Sequence, residues 1–192
     1  MAKIVAFINL TLDGVMQGPA SAEEDRRDGF THGGWGAGYN AMSAAGEVMA
    51  NTGALLFGRR TYEHFYSVWP KRTESPYAAF LENIPKYVAS RTLREPLPWN
   101  NSILLAGEAA DGVARLRQAP GKDVIIMGSG VLIQSLLRRG LVDEFALLIH
   151  PIVLGSGRRL FPDGGATAVF ELVRSKTTDT GVIAAIYRPK RG

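Results

Sequence analysis

Asp123-Val124-Ile125-Ile126-Met127-Gly128-Ser129-Gly130 is the stretch on which the fold turns. Its apolar run, Val124 to Met127, reads as a strand buried on both faces, the kind found in a parallel sheet. The strand runs straight into Gly-Ser-Gly. A helical pattern follows, with Leu132, Ile133, Leu136 and Leu137 on one face and Gly140 as its stop. Strand, small-residue turn and helix N-terminus together make a phosphate-binding arrangement. Free backbone N–H groups and the helix dipole favour an anion, and a missing Cβ lets it come close. The same glycines also suit a plain tight turn, so this motif needs company before it carries a function.

Two other strand ends supply it. In Leu55-Leu56-Phe57-Gly58-Arg59-Arg60-Thr61-Tyr62-Glu63 an apolar strand again ends in Gly, and the helix that begins there carries two guanidiniums and a hydroxyl. Arginine suits two-pronged recognition of phosphate. In Tyr87-Val88-Ala89-Ser90-Arg91-Thr92 a short strand runs out into Ser-Arg-Thr. Any one of these reads as an ordinary turn with a solvated arginine. Three together point to one extended phosphorylated ligand, bound at the carboxyl ends of the strands of an open α/β sheet.

The rest of the chain bounds the reading. Its 192 residues suit one domain, residues 1–192, and its 46% hydrophobic and 21% charged residues are ordinary for a globular protein. A net charge of +4 and a pI near 9.5 fit an anionic ligand and do not require nucleic acid, for which no motif is present. With no cysteine, thiol chemistry and disulfides are excluded. His32, His64 and His150 lie far apart and show no metal-ligand spacing, so no metal is expected. Neither a signal peptide nor a membrane span is evident, and a cytoplasmic protein is the expectation.

Along the chain, Ile4–Asn9 reads as a central strand. A glycine-rich segment from Leu10 to Gly38, with Glu23-Glu24-Asp25 inside it, reads as a binding loop, partly a mobile lid. The spacing predicts a helix over Tyr39–Asn51, with Met42, Ala45, Val48 and Met49 on one face. Strands are expected at Ala54–Phe57, Lys86–Ala89, Ser102–Ala106 and Phe145–Val153, the last disturbed by Pro151. Helices are expected over Arg59–Tyr66, over Pro76–Glu82 behind a Ser75 cap, and from an Asp111 cap toward Arg117. Val169–Thr177 and Gly181–Tyr187 read as a terminal antiparallel pair. The sum is an α/β fold of three layers, a mostly parallel central sheet with helices on both faces and an antiparallel C-terminal edge. Apolar residues on both sides of 146–149 and 182–186 suggest an edge covered by a second copy, hence a homodimer.

Four blocks carry a family resemblance: Asn9-Leu10-Thr11-Leu12-Asp13-Gly14, Gly58 through Glu63, Ala89-Ser90-Arg91-Thr92-Leu93, and Gly128-Ser129-Gly130 through Gly140-Leu141-Val142-Asp143-Glu144. The last continues into Pro151-Ile152-Val153-Leu154-Gly155-Ser156-Gly157 and Leu160-Phe161. The chain resembles the dihydrofolate reductase-like superfamily over nearly its whole length. It is most similar to the reductase domain of the bifunctional riboflavin biosynthesis proteins. The resemblance implies an NADPH-dependent reductase of a small heterocyclic or ribosylamino-pyrimidine-type molecule, as in 5-amino-6-(5-phosphoribosylamino)uracil reductase. It also implies site residues. Gly58, Arg59, Arg60 and Thr61 would hold cofactor phosphates, and Ser90 and Arg91 the adenosine 2′-phosphate. Met127, Gly128, Ser129 and Gly130, with the amides of Val131 and Leu132, would hold the pyrophosphate. Leu12, Gly14, Met16 and Gln17 would cover the nicotinamide.

Asp13, the acid of that loop, is the candidate proton relay, although Asp-Gly also makes turns on its own account. Trp35, Tyr39 and Phe65 are candidates for lining a substrate pocket, and equally for core. Dihydrofolate reductases carry a carboxylate on the first helix where this chain reads Asn40-Ala41-Met42-Ser43, which disfavours dihydrofolate as substrate. A protein that binds NADPH without turning it over remains the reading from another class.

Overall fold

The computed structural model describes residues 1–39, 41–44 and 46–190. Its strands are β1 (Ile4–Thr11), β2 (Thr52–Gly58), β3 (Lys86–Ala89), β4 (Ser102–Leu105), β5 (Asp123–Gly128), β6 (Glu144–His150), β7 (Phe170–Thr177) and β8 (Ile183–Pro189). They form one sheet in the order β4-β3-β2-β5-β1-β6-β8-β7. The first six in that order run parallel, and β8 and β7 close the sheet antiparallel. Among the described residues five helices flank it: α1 (Gly46–Ala50), α2 (Arg59–Val68), α3 (Pro76–Asn83), α4 (Ala109–Gln118) and α5 (Gly130–Arg138). This is the three-layer architecture expected from the alternating pattern.

Both faces of the central strand are buried, which is why it reads as an unbroken apolar run. Ile4, Ala6, Ile8 and Leu10 of β1 meet Ala110 and Val113 of α4 and Leu132, Ile133 and Leu136 of α5. Val5 and Phe7 face the other way, onto Tyr62 of α2 and Leu81 of α3. Helix α5 stops as its sequence dictates. Gly140 takes a φ of +63°, its N–H bonds the Leu137 carbonyl, and the Leu141 N–H bonds that of Leu136, a Schellman closure.

Several expectations need correction. In place of one helix over Tyr39–Asn51 there is a tight 3-10 turn, Ala41–Ala44, and the single-turn α1. Asn40 and Ala45, which that expectation included, lie outside the described residues. Asp111 does not cap α4; Glu108 occupies the cap position and Asp111 falls in the first turn, where a carboxylate still complements the helix dipole. Ser75 does sit at the cap of α3, with Pro76 following, although its side chain makes no capping hydrogen bond. β6 ends at His150 because Pro151 has no N–H to continue the ladder. The apolar residues of β6 are buried between β1 and β8 rather than at an edge; the exposed edge is β7. No helix among the described residues is long and apolar enough to cross a membrane.

The far end of the sheet is held by a buried cation. Lys86 Nζ, fully buried at the start of β3, donates to the carbonyls of Leu81 (2.6 Å), Ile84 (2.9 Å) and Glu82 (3.2 Å) at the C-terminus of α3 and lies 4.8 Å from the Trp99 ring centre. Burial lowers its pKa from 10.5 to about 8. Lys86→Met is expected to cost about 2 kcal/mol at pH 7 in urea unfolding, since charge-assisted bonds to helix-end carbonyls are lost. The folded pKa lies below the unfolded one, so the unfolded chain holds the extra proton between about pH 8 and 10.5. Wild-type stability therefore rises relative to the variant across that window, and the cost of the substitution should be larger at pH 10 than at pH 7.

Candidate functional site

The three anion-ready turns sit at the carboxyl ends of adjacent strands, β3, β2 and β5, and β1 is the next strand in the row. At β2, Gly58 is both the last strand residue and the N-cap of α2, so the Arg59, Arg60 and Thr61 amides open the helix. At β5, Gly128 ends the strand with φ +122°, the Gly128–Ser129 peptide is cis, and Ser129 caps α5. The first hydrogen bond closing α5 is Ile133 N–H to the Ser129 carbonyl, which leaves the amides of Gly130, Val131 and Leu132 without intrahelical acceptors. At β3, the Ser90 hydroxyl oxygen accepts the Thr92 and Leu93 N–H groups and folds the 90–93 turn. Arg91 projects from that turn, exposed. Among the described residues Arg59, Arg60 and Arg91 have no ion pair, in a chain whose other arginines at this level, Arg158 and Arg159, are engaged by Asp28 and Asp13.

The β2 and β5 turns touch. A Cβ on Gly58 would stand 2.7 Å from Ser129 Oγ and 3.2 Å from the Ser129 nitrogen; one on Gly128 would stand 3.0 Å from Thr61 Oγ1. Both glycines are thus required by close approach, and Gly128 by its backbone conformation as well. Gly130 would meet Met16 Sδ at 2.6 Å, which brings the 12–17 segment against the start of α5.

That segment is held firmly. Val15, Phe30 and Trp35, from the segment read as a binding loop, form a small apolar core with Ile152 and Leu154. The Gln17 side chain clamps it: Nε2 donates to the Asp25 and Arg27 carbonyls, and Oε1 accepts the Arg158 N–H at 2.9 Å. Trp35 Nε1 donates to the Gln17 carbonyl at 2.7 Å. Leu12 is exposed, and its N–H bonds the Ile152 carbonyl. Gly14 turns the chain with φ +79°.

Asp13 is tied into the same assembly. Its carboxylate accepts the Thr11 hydroxyl (2.6 Å) and the N–H groups of Leu154 (3.2 Å) and Gly155 (2.9 Å), with an Arg159 guanidinium nitrogen at 4.0 Å. The Thr11 hydroxyl, opposed by burial and helped by those backbone donors, holds its pKa below the usual carboxylate value. An ionised carboxylate with filled acceptor positions joins two loops well and yields no proton near neutral pH.

Of the aromatic candidates, Tyr39 and Phe65 are half-buried on the α2 and α3 side of the sheet, and Trp35 is buried in the loop core. Trp35 and Tyr39 each set an edge-on contact, 5.0 Å between ring centres, against His150. Sequence reasoning passed over His150 and Asn9. His150, buried at the end of β6, meets Asn9 Oδ1 through Nε2 at 2.9 Å, and burial lowers its pKa. The available signal was a polar residue late in each of two mostly apolar strands, Asn9 in β1 and His150 in β6.

Comparison with known proteins agrees with this architecture. The model of the RibD C-terminal domain matches residues 2–184. The chain belongs to the RibD C-terminal domain family. It is 30% identical to the uncharacterized protein YyaP of Bacillus subtilis (strain 168), over 96% of this chain and 94% of that one. Among solved structures it superposes on a putative riboflavin biosynthesis protein from Shewanella sp. PV-4 with a TM-score of 0.69 and 23% identity, covering 100% of both chains. It also superposes on the dihydrofolate reductase of Enterococcus faecalis, solved with NADP(H), with a TM-score of 0.60 and 14% identity, over 98% of this chain and 97% of that one. At these identities the two structures establish the fold.

The glycine contact between the β2 and β5 turns is testable in this member of the RibD C-terminal domain family. Gly58→Ala pushes against the Ser129 backbone. It should cost about 1–3 kcal/mol of stability, as overpacking does, measured by urea unfolding.

Proposed function

We propose that this chain is an NADPH-dependent reductase of a small heterocyclic substrate. The observation that carries the reading is the row of three anion-ready strand ends on neighbouring strands. From β3 to β1 is three strand steps, about 14 Å at ordinary strand spacing, which suits a dinucleotide laid across the sheet edge. The fit is physical. The Gly130, Val131 and Leu132 amides at the start of α5 have no intrahelical acceptors, and guanidiniums without ion pairs among the described residues stand where charge must be neutralised. Membership of the RibD C-terminal domain family and a fold shared with an NADP(H)-bound dihydrofolate reductase support it.

In this reading Arg91, with Ser90 shaping its turn, takes the 2′-phosphate. Gly58, Arg59, Arg60 and Thr61 take phosphate oxygens from the β2 side. Met127, Gly128, Ser129 and Gly130, with the Val131 and Leu132 amides, take the pyrophosphate from the β5 side. NADPH supplies a hydride when bound. The segment of Leu12, Gly14, Met16 and Gln17, fastened by Asp13 and Gln17, shuts water out at the β1 end. Tyr39 and Phe65 supply apolar walls for a flat substrate, and Trp35 backs them from the loop core. One observation favours a second reading, an NADPH-binding protein without turnover: the loop's acid, Asp13, is committed to holding structure. Turnover on a panel of heterocycles, followed at 340 nm, separates the two.

The cofactor assignment predicts that NADPH binds more tightly than NADH. Arg91→Ala should weaken NADPH binding roughly tenfold or more and leave NADH within about twofold, because the charge-assisted bonds to the extra phosphate are what is lost. Equal affinity for the two cofactors in the wild type, by fluorescence titration, would refute the assignment.

We also propose a homodimer, formed along β7. Val169, Leu172 and Val173 are 63%, 54% and 43% exposed along this unpaired edge, an association hazard unless a second copy covers it. Light scattering at micromolar concentration should give twice the 20.8 kDa of one chain, and Val173→Lys should return it to one.

A further inference from the structure

At the β1 end of the site, the side chain of Asn9 is aimed by a buried histidine. His150 Nε2 lies 2.9 Å from Asn9 Oδ1, and Nδ1 is buried with no hydrogen-bond partner. An amide oxygen only accepts, so Nε2 carries the proton and Nδ1 is the bare nitrogen. The opposite assignment would leave an N–H orphaned among the Trp35 and Tyr39 rings, which costs more than an unused lone pair. The Asn9 oxygen is therefore occupied from behind, and its Nδ2 amine group has no acceptor among the described residues.

Asn9 is half-buried and shares the face of β1 that carries Val5 and Phe7, the face on which Met127 and Phe65 are also half-buried. Two N–H donors thus stand on an apolar surface at the end of the row of strand ends, beyond the phosphate-binding turns. None of these neighbours brings a charge: burial disfavours the charged form of His150, and Met127 and Phe65 are apolar.

We infer that Asn9, oriented by His150, is a specificity-determining residue that reads a ring carbonyl of the substrate and rejects a ring amino group at the same position. His150 is the positioning residue of the pair. The inference rests on the reductase reading above, because it places the reacting end of the ligand at β1. A donor facing a carbonyl completes a hydrogen bond, whereas a donor facing an amino group leaves two N–H groups unmet in an apolar cleft.

Two isosteric flat probes test it: lumazine, with carbonyls at both pyrimidine positions, and 2,4-diaminopteridine, with amino groups there. Binding of each is measured to the NADP⁺ complex of the full chain, with thermal unfolding confirming that every variant is folded. The wild type should prefer lumazine by about tenfold. Asn9→Asp, which replaces the donor by an acceptor, should reverse the preference. His150→Phe should erase it by letting the Asn9 amide turn, and His150→Gln, which keeps an N–H donor behind Asn9, should retain it. Equal binding of the two probes, binding of neither, or a preference untouched by Asn9→Asp overturns the inference while leaving NADP⁺ binding intact. If NADP⁺ itself does not bind, the reductase reading falls and this inference with it.

Discussion

The contact between the β2 and β5 turns is the constraint on which the site depends. Two helices start from neighbouring strands, and their N-termini can converge on one ligand only if the turns before them pack without side chains between. Gly58 lies against Ser129, and Gly128 against Thr61, at separations where a Cβ would clash. The result is one continuous strip of unpaired backbone N–H groups, with Arg59 and Arg60 on one side and the start of α5 on the other. A helix N-terminus attracts an anion weakly by itself. Two converging ones, joined rigidly to the centre of a sheet buried on both faces, hold their donors in place before the ligand arrives, and preorganisation of that kind is where affinity is gained.

The loop region performs a second, separate task. Residues 12–17 cross the open end of β1 and are held by a set of contacts with residues 151–160: Asp13 to Leu154 and Gly155, Gln17 to Arg158, and the Val15–Arg159 bridge. These contacts are mostly polar and well partnered, and a small core of Val15, Phe30 and Trp35 lies beneath them. A segment fastened this way can narrow a cleft without the entropy cost that ordering a free loop on binding would impose.

The legible part of this structure was the part governed by local rules. β1, β2, β3 and β5, and the helices α2 and α5 that follow β2 and β5, were readable because buried strands show as apolar runs, and glycine or a capping position marks where they stop. The Schellman stop at Gly140 was readable for the same reason. What escaped were features decided by long-range partners. A helix expected over Tyr39–Asn51 is broken into shorter pieces although its apolar spacing looked continuous. The glycine density of 10–38 read as looseness, and only contact with the 151–160 segment, more than 110 positions away, turns it into a small core. Asp13 read equally as a proton relay or a turn residue, because nothing local shows the Leu154 and Gly155 amides that fill its acceptors. Asn9 and His150 were visible as polar residues late in mostly apolar strands, but parallel pairing of β1 with β6 was needed to show that they meet.

Charge is divided along the edge of the sheet, and the division has a chemical logic. The β3 and β2 ends carry free guanidiniums, suited to phosphate groups that are ionised at every physiological pH. The β1 end carries neutral donors and apolar walls, because its arginine, Arg159, is engaged by Asp13 and burial disfavours the charged form of its histidine. A full cation beside a nicotinamide would oppose the positive charge that ring acquires on giving up hydride. A full anion would stabilise that charge but repel the electron-rich product forming next to it. A neutral amide donor can meet an acceptor on the substrate without taking either side of that balance. Under the proposed reductase reading, an end of the site built from Asn9 and His150 is matched to hydride transfer in a way that a lysine or glutamate at the same strand end would not be.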